Sequence, residues 1–401
     1  MKVLFLTMVK INSFTDRGIY NDLLRKFYNE GHEVFVVCPI ERRERRKTYV
    51  QNHKEGVILN VQTLNLQKSN IVEKGLGTLA IEYQFLSAIK KDFSEIKFDV
   101  IIYSTPPITF SKVISFIKKR DQAYSYLLLK DIFPQNAVDM KMLREKGLLH
   151  KLFLKKEKRL YELSDTIGCM SEANKKYIIH HNPSIDIKKI EVNPNCIEPI
   201  DFSQSDEAKV AIRVKYNLPT NKKIFVYGGN LGKPQGVDFL LETIEFNSNP
   251  DVFFLIVGSG TELKKMQRWF EEKKPNNSKL IEGLPKRDYD LLLNACDVGM
   301  IFLHKDFTIP NFPSRLLSYL EMRKPIIAAT DLNTDIGQVI EKNNCGFFVA
   351  SGDVLAMNKV IDNMINNEND FQIMKENALN LLKNNYTVDI SYQLIKQKID
   401  V

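Results

Sequence analysis

FVYGGNLGKPQG, residues 225–236, and KDFTIPNFPSRLLSYLEMRKPIIAAT, residues 305–330, decide how this chain is read. In the first, an apolar run stops at paired glycines and turns through Lys233. In the second, a proline-broken loop leads into a helix that Pro313 can start, with Ser314 and Arg315 in its first turn, and a new apolar run follows. Between them lie VFFLIVGSG at 252–260, KLIEGLP at 279–285 and VGMIFL at 298–303, each ending in small residues and separated by amphipathic stretches. Buried strands alternating with helices make a parallel sheet. Ligands of such sheets bind beyond the carboxyl ends of the strands, where these loops lie. Two cation-bearing loops at one edge suit a diphosphate.

The same rhythm runs through the first half. KVLFLTMV at 2–9, GIYNDLLRKFYNEGH at 18–32 and EVFVVCPI at 33–40 form a strand, helix and strand, which is a βαβ unit. DVIIYSTPP at 99–107, AYSYLLLKDIFP at 123–134 and SDTIGCMSEANKKYIIHH at 164–181 continue it. The stretch 195–220 is polar and turn-rich, which places a boundary there. The fold class expected is α/β, with two doubly wound domains, 1–200 and 201–385, and the site in the cleft between them.

A chain of 401 residues, 44% hydrophobic and 26% charged, has the composition of a globular protein and exceeds one core. Its net charge of +8 is uneven: residues 1–200 carry 33 Lys and Arg against 23 Asp and Glu, while 201–401 carry 24 against 26. The first half therefore points to an anionic partner, a phosphorylated acceptor or a membrane surface. Nucleic acid fits less well, because no aromatic stacking platform accompanies the basic runs. Cysteines 38, 169, 196, 296 and 345 form no CxxC pair and read as buried, reduced thiols of a cytosolic protein. The N-terminal VLFLTMV is a strand rather than a leader, and no run approaches the eighteen apolar residues a membrane span needs.

Four loops in the second half carry candidate chemistry. Gly229, Asn230 and Lys233 offer close backbone approach and a flexible point charge. Gly258 and Gly260 open a helix with backbone N–H groups, although a tight packing turn reads the same way. Their spacing fits neither a dinucleotide fingerprint nor a Walker loop. The turn Gly283, Leu284, Pro285 presents backbone groups suited to a nucleobase. Asn311, Ser314 and Arg315 complete the set. Asp288-Tyr289-Asp290 has the form of an acidic metal triplet, but it opens a helix, where acidic residues complement the dipole; no metal is expected.

In the first half, Gly18, counted with the donor-binding residues, ends DRG after the first strand, and Asp131 ends a later one, placed to take a hydroxyl proton. ERRERRK at 41–47 and HKLFLKKEKRL at 150–160 are basic. In the second, apolar positions 149, 152, 153, 160 and 163 share one helical side and Lys151, Lys155, Lys158 and Arg159 the other. That pattern suits either anionic lipid or a solvated helix packed on a core.

Taken in order, GGNLGKPQG, LIVGSG, the Gly-x-Pro turn and the helix ending EMRKPIIAATD resemble the retaining glycosyltransferases of family 4, which have the two-domain GT-B fold. LLLKDIFPQNAV and the PS-(K/R)-L-x-x-Y helix are similar to the branch that assembles bacterial capsule or O-antigen repeat units. The resemblance implies a nucleotide-sugar donor, usually UDP-linked, as co-substrate with no separate cofactor. It places Lys233 and Arg315 on the diphosphate, with the Ser314 N–H added and Gly258, Gly260 and Leu284 bordering the nucleotide. It also implies a polyprenyl-diphosphate-linked saccharide acceptor on the first domain. A final helix, 386–401, would cross back onto that domain, and the protein would sit peripherally on the inner face of the cell membrane. Cations would stabilise the leaving diphosphate in place of a metal, so Asp131, Lys233 and Arg315 are the catalytic candidates.

The chain departs from the family in places. By register from Pro325, Ser318 and Pro310 stand where many members carry two glutamates, and Asn230 and Gln235 replace the phosphate-loop Arg and Lys. Two other readings share the fold: a UDP-sugar 2-epimerase, which needs acid/base carboxylates and a histidine around the sugar, and a non-catalytic partner. None of the six histidines is expected in a loop of the cleft.

Overall fold

The computed structural model describes residues 1–65 and 71–399. The chain divides into two compact units, Met1–Glu198 with Thr387–Val401, and Pro199–Tyr386. Positions 400 and 401 of the expected final segment lie outside the described residues.

The first unit holds β1 (Lys2–Leu6), β2 (Glu33–Glu41), β3 (Tyr49–His53), β4 (Gly56–Thr63), β5 (Val100–Ser104), β6 (Tyr124–Leu129), β7 (Thr166–Cys169) and β8 (Ile190–Val192). They line up as β3-β4-β2-β1-β5-β6-β7-β8. All pair in parallel except β3 with β4. The central strands are almost wholly apolar because helices cover both faces. Val3, Phe5, Val36, Ile102 and Leu128 lie in one core with Leu24 and Phe27 of the Ile19–Asn29 helix.

The last helix, Val388–Ile399, completes that core. Tyr392 is fully buried, its ring 5.0 Å from that of Phe27 and its hydroxyl 2.9 Å from His32 Nε2. Lys26 pairs with Asp389 at 2.6 Å, and Ser391 donates to Asn193 at 2.7 Å.

The second unit holds β9 (Lys223–Asn230), β10 (Val252–Ser259), β11 (Ser278–Glu282), β12 (Val298–Phe302), β13 (Ile326–Thr330) and β14 (Gly346–Ala350), ordered β11-β10-β9-β12-β13-β14 and parallel throughout. The chain builds outward from β9 through β10 to β11, then returns to the other side of β9 with β12. The carboxyl ends of β9 and β12 therefore flank the point where strand order reverses. Crossovers leave there in opposite directions, which opens a crevice. In the first unit β1 and β5 hold the same position.

The sequence reading missed four strands: β3, β4, β8 and β14. β3 is an edge strand whose residues alternate between half-buried and exposed, and β8 has only three residues, so neither carries the continuous apolar run of a central strand.

Close strand approach accounts for one glycine. A Cβ on Gly258 would lie 2.1 Å from the Gly229 carbonyl oxygen of the neighbouring strand, a contact no side-chain movement relieves. Gly258→Ala is expected to cost about 3 kcal/mol in denaturant unfolding, and an unchanged midpoint would refute that close approach.

Candidate functional site

The site of the second unit is built at the ends of β9 and β12. Gly229 has φ +119°, open to glycine at little cost, and a Cβ there would come within 3.8 Å of the Arg315 guanidinium. Asn230 follows; its Nδ2 donates to Gln235 Oε1 at 3.0 Å, which also accepts the Gly232 N–H at 3.1 Å. The two residues that replace the family's phosphate-loop cations thus fasten the loop to itself. They hold Lys233 exposed at the start of the Lys233–Gln235 turn.

Arg315 begins the Arg315–Glu321 helix directly after Ser314, which occupies the N-cap position and is exposed. Its guanidinium lies 4.3 Å from the centre of the Tyr227 ring. Tyr319, one helical turn on, accepts the Gly228 N–H at 3.2 Å. Tyr289 packs on Gly228, where a Cβ would meet its hydroxyl oxygen at 1.8 Å. Burial holds the Tyr319 phenol up at about 12 and pushes that of Tyr289 well above its ordinary value. Arg315 therefore sits among three neutral tyrosines.

Its Nη1 is buried and has no hydrogen-bond partner among the described residues. Asn311 Nδ2, four residues back on the same loop, is in the same condition, while the Asn311 backbone N–H is anchored to Thr334 Oγ1 at 3.0 Å. Buried donors are nearly always paired, and a buried cation without an anion is costly. Two such donors on one loop, beside a glycine strand end, make a site for an anion with several acceptor oxygens.

Gly260 serves packing, as Gly258 does: a Cβ there would lie 2.3 Å from the Leu231 carbonyl oxygen. Leu284 is half-buried between β11 and the Lys286–Asn294 helix, in a turn whose Gly283 faces Ser259. Gly229, Asn230, Lys233, Gly258, Gly260 and Arg315 are brought together, and Leu284, Asn311 and Ser314 share their sheet edge. Asp288-Tyr289-Asp290 has other partners, with Tyr289 under Gly228 and Asp290 bonded to Lys286.

Three residues escaped the sequence reading. Tyr227 gave no signal beyond being aromatic, and Tyr289 was read only as the middle of an acidic triplet. His304 does stand in a strand-end loop, contrary to expectation: its backbone N–H donates to Pro234 O at 2.9 Å, tying the loop after β12 to the Lys233 turn. His304 Nδ1 accepts the Asp306 N–H at 3.2 Å, which places its proton on Nε2. The signal was present, since His304 follows VGMIFL by one residue.

Asp131 and Gly18 lie in the first unit, at the carboxyl edge of its sheet. Asp131 accepts from Asn136 Nδ2 at 2.7 Å, and Thr105 Oγ1 donates to its carbonyl at 3.1 Å. Burial pushes its carboxyl up to about 6, against the pull of the Ile132 N–H and the Asn136 amide. Gly18 caps the Ile19–Asn29 helix, its N–H 3.3 Å from Asp22 Oδ1, so its amide is already engaged.

Residues 209–381 match the family described as Glycosyl transferases group 1. A Pseudomonas aeruginosa protein named as a probable glycosyltransferase, WbjE, is 23% identical over 331 residues, 81% of this chain and 80% of that one. An Escherichia coli K12 protein provisionally named as the colanic acid biosynthesis glycosyl transferase WcaI is 27% identical over 152 residues, 37% of each chain. Among solved structures, Anabaena Alr3699/HepE in complex with UDP-glucose superposes with a TM-score of 0.73 at 16% identity, covering 100% of this chain and 99% of that one. WaaG, a glycosyltransferase involved in lipopolysaccharide biosynthesis, gives 0.65 at 12%, covering 98% and 99%. At those identities the structures speak for the fold, which is that of two-domain GT-B glycosyltransferases.

Proposed function

We propose, for a chain that carries a glycosyl transferases group 1 domain over residues 209–381, that it moves a sugar from a UDP-sugar to a lipid-linked saccharide acceptor in assembly of a bacterial surface polysaccharide. One observation carries the donor half: the buried, unpartnered Nη1 of Arg315 beside Gly229, with Asn311 Nδ2 in the same state. A nucleoside diphosphate supplies the oxygens these donors lack, and polysaccharide assembly is favoured by one relative named for colanic acid biosynthesis and a structural neighbour named for lipopolysaccharide biosynthesis.

In this reading Arg315 and Lys233 bind the diphosphate and neutralise the charge that grows on it as the glycosidic bond to the sugar breaks. Ser314 adds its N–H, and the Leu284 turn borders the nucleotide. Asp131 receives the acceptor hydroxyl's proton. Configuration is retained, no metal takes part, and the enzyme works at the cytoplasmic membrane face. Pro310 and Ser318 offer the donor no carboxylate, so other groups hold its sugar, and His304 Nε2–H at the β12 end is one such donor.

Calorimetric titration with UDP, GDP and their sugar conjugates tests this directly. UDP and one or more UDP-sugars are expected to bind, with the same affinity in EDTA as in magnesium. Preference for GDP or strict dependence on magnesium would overturn the donor assignment, and binding without transfer to any lipid-linked saccharide would favour a non-catalytic role.

A further inference from the structure

The Leu148–Leu163 helix of the first unit is oriented differently from the sequence reading. Its buried side is formed by His150, Phe153, Glu157, Leu160 and Tyr161. Leu149 and Leu152, expected on that side, face solvent instead. Leu148 is 88% exposed, Leu149 58%, Leu152 41%, and Met142 in the preceding loop 67%. Four large apolar side chains exposed within eleven residues form a patch, unlike the scattered single exposures normal on a surface.

The charge around the patch has one dominant sign. Lys141, Arg144, Lys146, Lys151, Lys155, Lys158 and Arg159 are all exposed, against Glu145, which lies 3.9 Å from Lys146, and Glu162, which pairs with Arg159 at 3.2 Å. Leu148, Leu152, Lys155 and Arg159 follow at helical spacing along one stripe, apolar at the helix start and basic behind it. Because the helix connects β6 to the parallel strand β7, its start lies at the carboxyl edge of the sheet. The exposed run Arg42, Arg43, Arg45, Arg46 and Lys47 follows β2 at that same edge.

We propose that this edge of the first unit docks on an anionic lipid bilayer, with Met142, Leu148, Leu149 and Leu152 entering the headgroup boundary and the lysines and arginines on the lipid phosphates. Apolar insertion flanked by cations is how interfacial helices bind, and both components are present here. The buried side of the helix reaches the candidate acceptor site. Phe153 meets the ring of Phe133 at 5.1 Å, two residues beyond Asp131, and the Tyr161 hydroxyl donates to Glu157 at 2.9 Å within the same layer. Docking would hold the Asp131 loop near the bilayer surface. That purpose rests on the reading of a lipid-linked acceptor, whereas the docking chemistry does not.

Flotation of the whole chain with vesicles of phosphatidylcholine, alone or mixed with phosphatidylglycerol, tests the proposal. The chain is expected to float with the anionic vesicles only, and less so as salt rises. Lys151→Gln and Lys155→Gln should each weaken binding about fivefold, and Leu148→Ser/Leu149→Ser/Leu152→Ser by at least about tenfold. UDP titration of the same variants, which touch no donor residue, should be unchanged and shows that they fold. Absence of wild-type binding, equal binding to neutral vesicles, or an undiminished leucine variant overturns the proposal. A wild-type dimer that the leucine variant dissolves also overturns it, by showing a second copy on the patch. Vesicle binding in a chain that binds no nucleotide would leave this surface standing and remove the donor reading.

Discussion

Replacing Arg315 by alanine is expected to remove roughly 2–4 kcal/mol of transition-state stabilisation, about 30- to 1,000-fold in kcat/KM for the donor. Calorimetry should show UDP affinity falling with it. Arg315 Nη1 is buried and has no hydrogen-bond partner among the described residues, while the guanidinium lies 4.3 Å from the centre of the Tyr227 ring with Tyr289 and Tyr319 beside it. Truncation gives up the contact with the Tyr227 ring, so the ligand-free melting temperature should fall slightly. What should disappear is the upward shift that UDP gives the wild type. Arg315→Lys should recover only part, since an ammonium cannot reproduce a planar fork of donors. A fall in stability with UDP affinity intact would make Arg315 a packing residue and sink the diphosphate assignment.

Asp131→Asn is expected to lower kcat by roughly 10²–10⁴-fold while leaving UDP affinity unchanged, as the loss of a proton acceptor that takes no part in donor binding. Burial holds the wild-type carboxyl at about 6. Only the carboxylate accepts a proton, so wild-type activity should fall as pH drops through about 6 and be flat above it. The sign for stability is opposite. A carboxyl whose folded pKa exceeds its unfolded value favours the fold while protonated and loses that advantage as pH rises toward 6. Asp131→Asn should thus melt higher than wild type at pH 8, with the gain vanishing near pH 4. An acid limb that persists in the asparagine variant would assign the titration, and the base, to another group.

Much of the second unit was legible because its strands are buried on both faces. Continuous apolar runs such as FVYGG and FFLIVGSG announce themselves without any partner. Gly229, Lys233 and Arg315 were named from their place in the strand-end loops, although Gly258 and Gly260, named on the same ground, serve packing. The Tyr227–Tyr289–Tyr319 setting was not legible as a unit. Its members come from three segments, and nothing in FVYGG or DYDLLL shows that both rings reach Arg315. His304 was overlooked although it stands directly after a strand, since one histidine carries no sign of whether its loop reaches the site.

The Leu148–Leu163 helix shows the limit most plainly. Periodicity established that the segment is an amphipathic helix, but Phe153 and Leu160 on one side and Leu148 and Leu152 on the other are equally apolar. The packing of Phe153 on Phe133, with Leu160 and Tyr161 buried on the same side, shows which side the core takes.

The sequence by itself determined the α/β class, the loops at the strand ends and the cations they carry, because burial on two faces and backbone freedom at glycine are written locally. The tertiary structure decided that Arg315 Nη1 lacks a partner, that Asp131 titrates near 6, and which leucines face solvent. Partnership, burial and exposure are properties of the neighbours a side chain meets, and those neighbours come from distant parts of the chain.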